Sequence, residues 1–264
     1  FRKPNFTNLR DPDRNLQIGF VSGDFLNHPI SVYCLKLFAQ LYHCPSLTLH
    51  AYYTNDTVDD VTLKIKKYFY KWNSVKSVSD QNLTDQIIKD EIDILIDLSN
   101  HTAGNRLGVF ARQPAPVQVT ALGLPYTTGL KAIDYYFGAE SDWWQKKFFS
   151  ECFLEMPTTT AYNPLFAAPN VNDLPALKNG FITFGSCNTV SRINRACIGL
   201  WSKLLRAIPD SRFVFAGQTN EFVQDKFKEW LTEENVDMSR VEFLSRKGTS
   251  EYMSIYHRID VHLM

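Results

Sequence analysis

Asp93-Ile-Leu-Ile-Asp-Leu-Ser-Asn-His-Thr-Ala-Gly-Asn-Arg106 is the stretch from which the fold can be read. Its first half is a short, nearly unbroken apolar run, the pattern of a strand buried on both faces; its second half is a polar loop. The same grammar recurs twice. Leu16-Gln-Ile-Gly-Phe-Val-Ser22 runs into Gly-Asp-Phe-Leu-Asn-His-Pro29, and Val117-Gln-Val-Thr-Ala-Leu122 runs into Gly-Leu-Pro-Tyr-Thr-Thr-Gly129. Ligands of open α/β sheets sit beyond the carboxyl ends of the strands, so loops of this chemistry at those ends predict a binding site.

Outward from these strands the spacing of apolar residues changes to threes and fours. Val32, Leu35, Phe38 and Leu41 mark a helix over Ser31–Tyr42, followed by a strand at Thr48–Thr54. Helices are expected at Asp59–Trp72, Leu83–Glu91 and Asn105–Arg112, and a further strand at Asp134–Ala139. Strands alternating with helices predict an α/β fold built on a parallel sheet covered on both faces. Tyr162–Gly180 then gathers Asn, Pro and Gly without a sustained period, which marks an interdomain linker, placed at 166–180. Beyond it the alternation restarts: strand Phe181–Gly185, helix Ile193–Ile208, strand Arg212–Ala216, helix Glu221–Leu231, strand Val241–Leu244, helix Ser250–His257 and strand Asp260–Met264. The predicted organisation is a linker at 1–14, a Rossmann-like lobe at 15–165 and a second, incomplete lobe at 181–264, with a cleft between the lobes. The last strand pattern closes without a following loop, which predicts residues further downstream.

The 264 residues hold 28 basic and 28 acidic side chains, so no net field favours nucleic acid or an anionic membrane. An anionic small ligand would need a local site. The five cysteines are scattered without a CxxC pair, which fits a reducing compartment and argues against cysteine-bound zinc. No apolar run approaches the roughly 20 residues that span a bilayer. A cytoplasmic protein is expected.

Five segments in order resemble the protein O-GlcNAc transferase family, including its bacterial and SPINDLY-like members: Leu16–Pro29, Asp97–Leu107, Val109–Gln118, Leu122–Gly129 with Asp134-Tyr135, and Phe184–Asn194. The resemblance implies a GT-B architecture of two facing Rossmann-like lobes. It also implies inverting, metal-independent transfer of N-acetylglucosamine from UDP-GlcNAc to Ser or Thr hydroxyls of proteins, without a further cofactor. Tetratricopeptide repeats ahead of the catalytic lobes are common in such proteins and would suit the linker-like opening. Two other readings are open: the same fold using another UDP-hexose or a GDP-sugar, or a member that binds without catalysing.

What the resemblance implies residue by residue follows the same loops. His28 lies close to the sugar, as base or as a group that positions the acceptor; an ordinary imidazole titrates at about 6.5, which suits either role. Arg192 is expected to neutralise the leaving diphosphate, with Asn188 and Thr189 beside it at a strand end that turns into a helix. His101, Thr102, Leu122, Gly123 and Pro125 belong to the donor site, and Lys247 supplies charge near the nucleotide. The chain departs from the family pattern at several of these places. Arg192 stands where Lys is usual, Asn100 where bacterial members tend to have Gly, and Leu124 and Tyr126 where Tyr and Gly are expected. Thr249 and Tyr252 stand at the apparent equivalents of other donor-site residues.

Overall fold

The computed structural model describes residues 6–11, 13–139, 146–156, 169–217, 220–245 and 248–264. The chain divides into two compact units, Phe1–Leu165 and Phe166–Met264.

In the first unit the elements follow in the order β1 (Leu16–Ser22), α1 (Pro29–Tyr42), β2 (Leu47–Tyr53), α2 (Asp60–Lys66), β3 (Lys71–Ser74), α3 (Asp80–Lys89), β4 (Ile94–Asp97), α4 (Leu107–Phe110), β5 (Val117–Ala121), β6 (Tyr135–Ala139) and β7 (Cys152–Met156). The strands form one parallel sheet in the order β3-β2-β1-β4-β5-β6-β7. Ile18 of β1 lies opposite Leu49 of β2 on one side and Ile94 of β4 on the other. Successive side chains of β1 therefore enter two different cores. Phe20 joins Phe25, Phe38 and Phe69, with Phe20–Phe38 and Phe38–Phe69 edge-to-face at 5.0 and 4.9 Å. Val21 joins Tyr52, Leu83, Ile87, Leu95 and Phe110 on the opposite face.

Two differences from the sequence expectation concern strands. The helix expected over Asp59–Trp72 stops at Lys66, and Lys71–Ser74 pairs with β2 as the edge strand. Asp59 starts the helix: its carboxylate accepts from the Thr62 amide at 2.8 Å while the Thr62 hydroxyl accepts from the Asp59 amide at 3.2 Å. The second difference is β7, a five-residue strand that extends the sheet beyond β6. At the amino ends of the strands, Asp93 gathers the incoming chain. It accepts from Arg14, from the Gln17 amide at 2.8 Å and from Asn8 at 2.7 Å. Burial raises the Asp93 carboxyl, but these donors outweigh it and hold the group below the usual carboxylate range.

The second unit runs α5 (Pro175–Asn179), β8 (Thr183–Ser186), a 3-10 turn at Val190–Arg192, α6 (Arg195–Ala207), β9 (Arg212–Ala216), α7 (Glu221–Glu233), a 3-10 turn at Met238–Arg240, β10 (Val241–Leu244), α8 (Thr249–Ser254), a 3-10 turn at Ile255–Arg258 and β11 (Val261–His262). Its parallel sheet has the order β10-β9-β8-β11. Of the expected linker, residues 169–180 are described. They carry α5, and Asp260 ties them to the sheet by accepting from the Ala176 and Thr183 amides, both at 2.8 Å. Gly180 ends α5 at φ 74°, the left-handed region where a residue without Cβ is favoured.

Along the 193–208 segment Ile193, Trp201 and Leu205 are buried, and Cys197, Leu204 and Ile208 pack partly buried against the same core. Ile198 and Ser202 are buried beside them, and Leu200 is 66% exposed. Ile198, Trp201, Ser202 and Leu205, spaced three, one and three apart, fall on one face of α6. Asn194 fixes where the helix begins, its side chain accepting from the Cys197 amide at 3.0 Å.

Candidate functional site

In both sheets the chain steps outward in one direction and then reverses, between β1 and β4 in the first unit and between β8 and β11 in the second. At such a reversal neighbouring loops leave the sheet in opposite directions and open a crevice at the carboxyl ends of the strands. The expected site residues that are described sit on these loops or on the loop of the next strand.

His28 ends the loop after β1 and caps α1. Its Nδ1 accepts from the Ile30 amide at 3.3 Å, Pro29 occupies the first helical position, and the side chain remains 40% exposed. A backbone hydrogen directed at Nδ1 puts the proton of the neutral ring on Nε2, leaving that nitrogen a donor. Asp24 Oδ2 lies 3.9 Å from Nδ1; burial pushes the Asp24 carboxyl up, against the pull of His28. The loop is pinned by Ser31 Oγ donating to the Asp24 carbonyl at 2.7 Å and by Asp59 accepting from the Asn27 amide at 2.7 Å.

The loop after β4 is built around Asp97, which is fully buried. One carboxylate oxygen accepts from the Ser99 amide at 3.1 Å; the other accepts from the Asn100 amide at 2.9 Å and the Thr120 hydroxyl at 2.8 Å. Burial still pushes the group above its ordinary range, against these bonds. The turn they hold takes Asn100 to φ 49°. Thr102 closes it by donating its hydroxyl to the Ser99 carbonyl at 2.7 Å, and His101 stands exposed at its tip. Thr54, at the end of β2, donates to the Gly104 carbonyl at 2.8 Å, and Asn55 donates to the Gly23 carbonyl at 3.1 Å. Three loops are thus stapled into one edge.

The loop after β5 packs on the Asn100 turn. Leu122 has φ 64°, and the Gly123 amide donates to the Ala121 carbonyl at 2.8 Å, so residues 121–123 form a strained γ-turn. A Cβ on Gly123 would meet the Ser99 carbonyl carbon at 2.6 Å and the Asn100 amide nitrogen at 2.9 Å; only glycine lets the backbones approach this closely. Pro125 and Tyr126 are exposed. Glu151 anchors the far end, accepting from the Thr127 hydroxyl at 2.7 Å and the Thr128 amide at 2.8 Å.

In the second unit Asn188 follows β8 and donates to Ser186 Oγ at 3.0 Å and the Leu263 carbonyl at 3.3 Å. Thr189 leads into the 3-10 turn, whose last residue is Arg192. The Arg192 side chain is exposed and makes no ion pair with a described residue. His262 Nε2 accepts from the Cys187 amide at 3.2 Å, joining the two strands that flank the reversal. Lys247 lies outside the described residues.

The structure therefore brings His28, His101, Thr102, Leu122, Gly123 and Pro125 to one edge of the first sheet, and places Asn188, Thr189 and Arg192 after β8 of the second. Sequence reasoning missed Asp97 and Thr120, whose only signal is polarity inside otherwise apolar strands. At position 100, where bacterial members tend to have Gly, asparagine tolerates the left-handed conformation, and its side chain donates to the Tyr126 carbonyl at 2.8 Å.

Comparison with known proteins points the same way. The chain is 31% identical to a probable UDP-N-acetylglucosamine–peptide N-acetylglucosaminyltransferase SPINDLY of Arabidopsis thaliana, over 98% of this chain and 30% of that protein. It is 32% identical to the SPINDLY protein of the same description from Oryza sativa subsp. japonica, over 98% of this chain and 29% of that protein. It thus spans less than a third of the length of these relatives. A solved structure of a mutant O-GlcNAc transferase from Thermobaculum terrenum superposes with a TM-score of 0.82 at 31% identity, covering 97% of this chain and 49% of that one. This places the α/β fold in the GT-B class. Residues 2–161 match the glycosyl transferase family 41 profile, and with that match the chain belongs to glycosyl transferase family 41.

Proposed function

We propose that this chain is catalytic sequence of a protein O-GlcNAc transferase, moving N-acetylglucosamine from UDP-GlcNAc to Ser or Thr hydroxyls of cytoplasmic proteins with inversion and without a metal or cofactor. Family membership supports the reading, and the observation that carries it is the placement of the matching polar loops at the strand-order reversals of both sheets. The acceptor oxygen forms a bond to the anomeric carbon as the bond to the diphosphate breaks. The electron pair leaves with UDP, and the acceptor proton passes to water or to a donor phosphate.

In this reading the negative charge that builds on the leaving group is met by Arg192, Lys247 and the loop of Asn188 and Thr189. With no acidic partner among the described residues, the exposed Arg192 guanidinium is available to pair with phosphate oxygens. His101, Thr102 and the Leu122–Pro125 loop shape the sugar pocket, where bare backbone and a rigid proline give form without extra charge. His28 positions the acceptor or the sugar through its Nε2 hydrogen, because its Nδ1 is engaged with the helix amide.

The test is transfer from UDP-GlcNAc to a Ser/Thr-containing protein, followed by intact mass for the full-length protein in the presence of EDTA. A mass increase of one N-acetylhexosamine is expected. His28→Ala should raise the Michaelis constant and leave the shape of the pH profile unchanged. Absence of transfer from any UDP- or GDP-sugar would leave the non-catalytic reading in its place.

A further inference from the structure

We propose that Asn100 positions the loop over the donor sugar and thereby sets which nucleotide sugar is accepted, an inference that rests on the glycosyltransferase reading above. The Leu122–Tyr126 loop leaves β5 through a γ-turn with Leu122 at φ 64°, a strained conformation that persists only where the surroundings hold it. Two contacts hold it from the side of β4. Gly123 rests directly on the backbone of Ser99 and Asn100, and the Asn100 amide group donates to the Tyr126 carbonyl at 2.8 Å and lies 3.4 Å from the Leu124 carbonyl.

Asn100 is itself fixed from below. Asp97, buried and bonded to Thr120 on β5, accepts from the Asn100 amide, while the Asn100 side-chain oxygen accepts from the His101 amide at 2.7 Å. Both ends of the side chain are committed, so its rotamer is set and the height of the loop follows from it. One residue thus couples the turn carrying His101 to the loop carrying Leu122, Gly123 and Pro125. Leu124 and Tyr126, which depart from the family pattern, are the two residues whose carbonyls face its amide.

Asn100→Gly in the full-length protein separates the two roles of the residue. Glycine keeps the left-handed turn without strain and removes only the side-chain contacts. The measurement is the ratio of kcat/KM for UDP-GlcNAc to that for UDP-glucose, together with hydrogen exchange of the peptide spanning residues 119–130. We expect faster exchange in that peptide and a discrimination ratio lower by about tenfold to a hundredfold, the scale of a misplacement of about 1 Å. Asn100→Asp, which also tolerates the turn but sets a carboxylate against two carbonyls, should behave similarly. Unchanged exchange, or faster exchange with an unchanged ratio, would overturn the inference. A wild-type protein that transfers no sugar would instead overturn the reading beneath it, and the exchange comparison would still decide whether Asn100 pins the loop.

Discussion

Gly123 shows at the scale of a residue how closely the site loops are built. A methyl group there would be driven into backbone atoms of Ser99 and Asn100 rather than into a flexible side chain, so one loop would have to move. Gly123→Ala should destabilise the protein by about 1–3 kcal/mol, the range for overpacking, and, on the proposal that this loop shapes the sugar pocket, should lower transfer more than thermal stability suggests. Thermal melting beside a transfer assay checks this; a variant with wild-type melting and turnover would show that the loops are not in backbone contact. The sequence displayed Gly123 and Asn100 plainly, yet their partnership was not legible. Which loop rests on which depends on β4 and β5 being neighbours, and on an asparagine side chain reaching carbonyls 24 and 26 positions away.

Among the elements, the strands that carry the site were readable because β1, β4 and β5 are apolar runs ending in polar loops. The edge strands of the first sheet, β3 and β7, were not. Lys71-Trp-Asn-Ser74 has no apolar run and continues the helical spacing of α2, so only pairing with β2 reveals it as a strand. The γ-turn at Leu122 was equally beyond periodicity. Asp93, between α3 and β4, links the segment before β1 to the sheet and supplies a pH signature. Its carboxyl is held low in the folded state, so the unfolded chain binds more protons through the acid range. The stability it contributes is present above the ordinary carboxylate range and is lost as pH falls through the lowered value. Urea midpoints measured across the acid range should therefore decline less steeply for Asp93→Asn than for the parent, with the variant already weaker at neutral pH. Parallel declines would mean that Asp93 does not sense folding.

For the whole molecule, each unit uses a parallel sheet with one reversal of strand order, and each puts its matching polar loop at that reversal. The α/β alternation was visible in the sequence because helices and strands differ in apolar period. The strand order was not, because it depends on crossovers that leave no local trace. The central claim is that these loops bind a nucleotide sugar diphosphate, with Arg192 as its neutralising cation. The most direct measurement is calorimetric titration of the full-length protein with UDP, for the parent, Arg192→Lys and Arg192→Ala. Saturable binding by the parent is expected, retained in Arg192→Lys and weakened in Arg192→Ala by about tenfold or more, the scale of losing one charge-assisted contact to phosphate. No heat of UDP binding in the parent, or equal affinity in Arg192→Ala, would contradict the account.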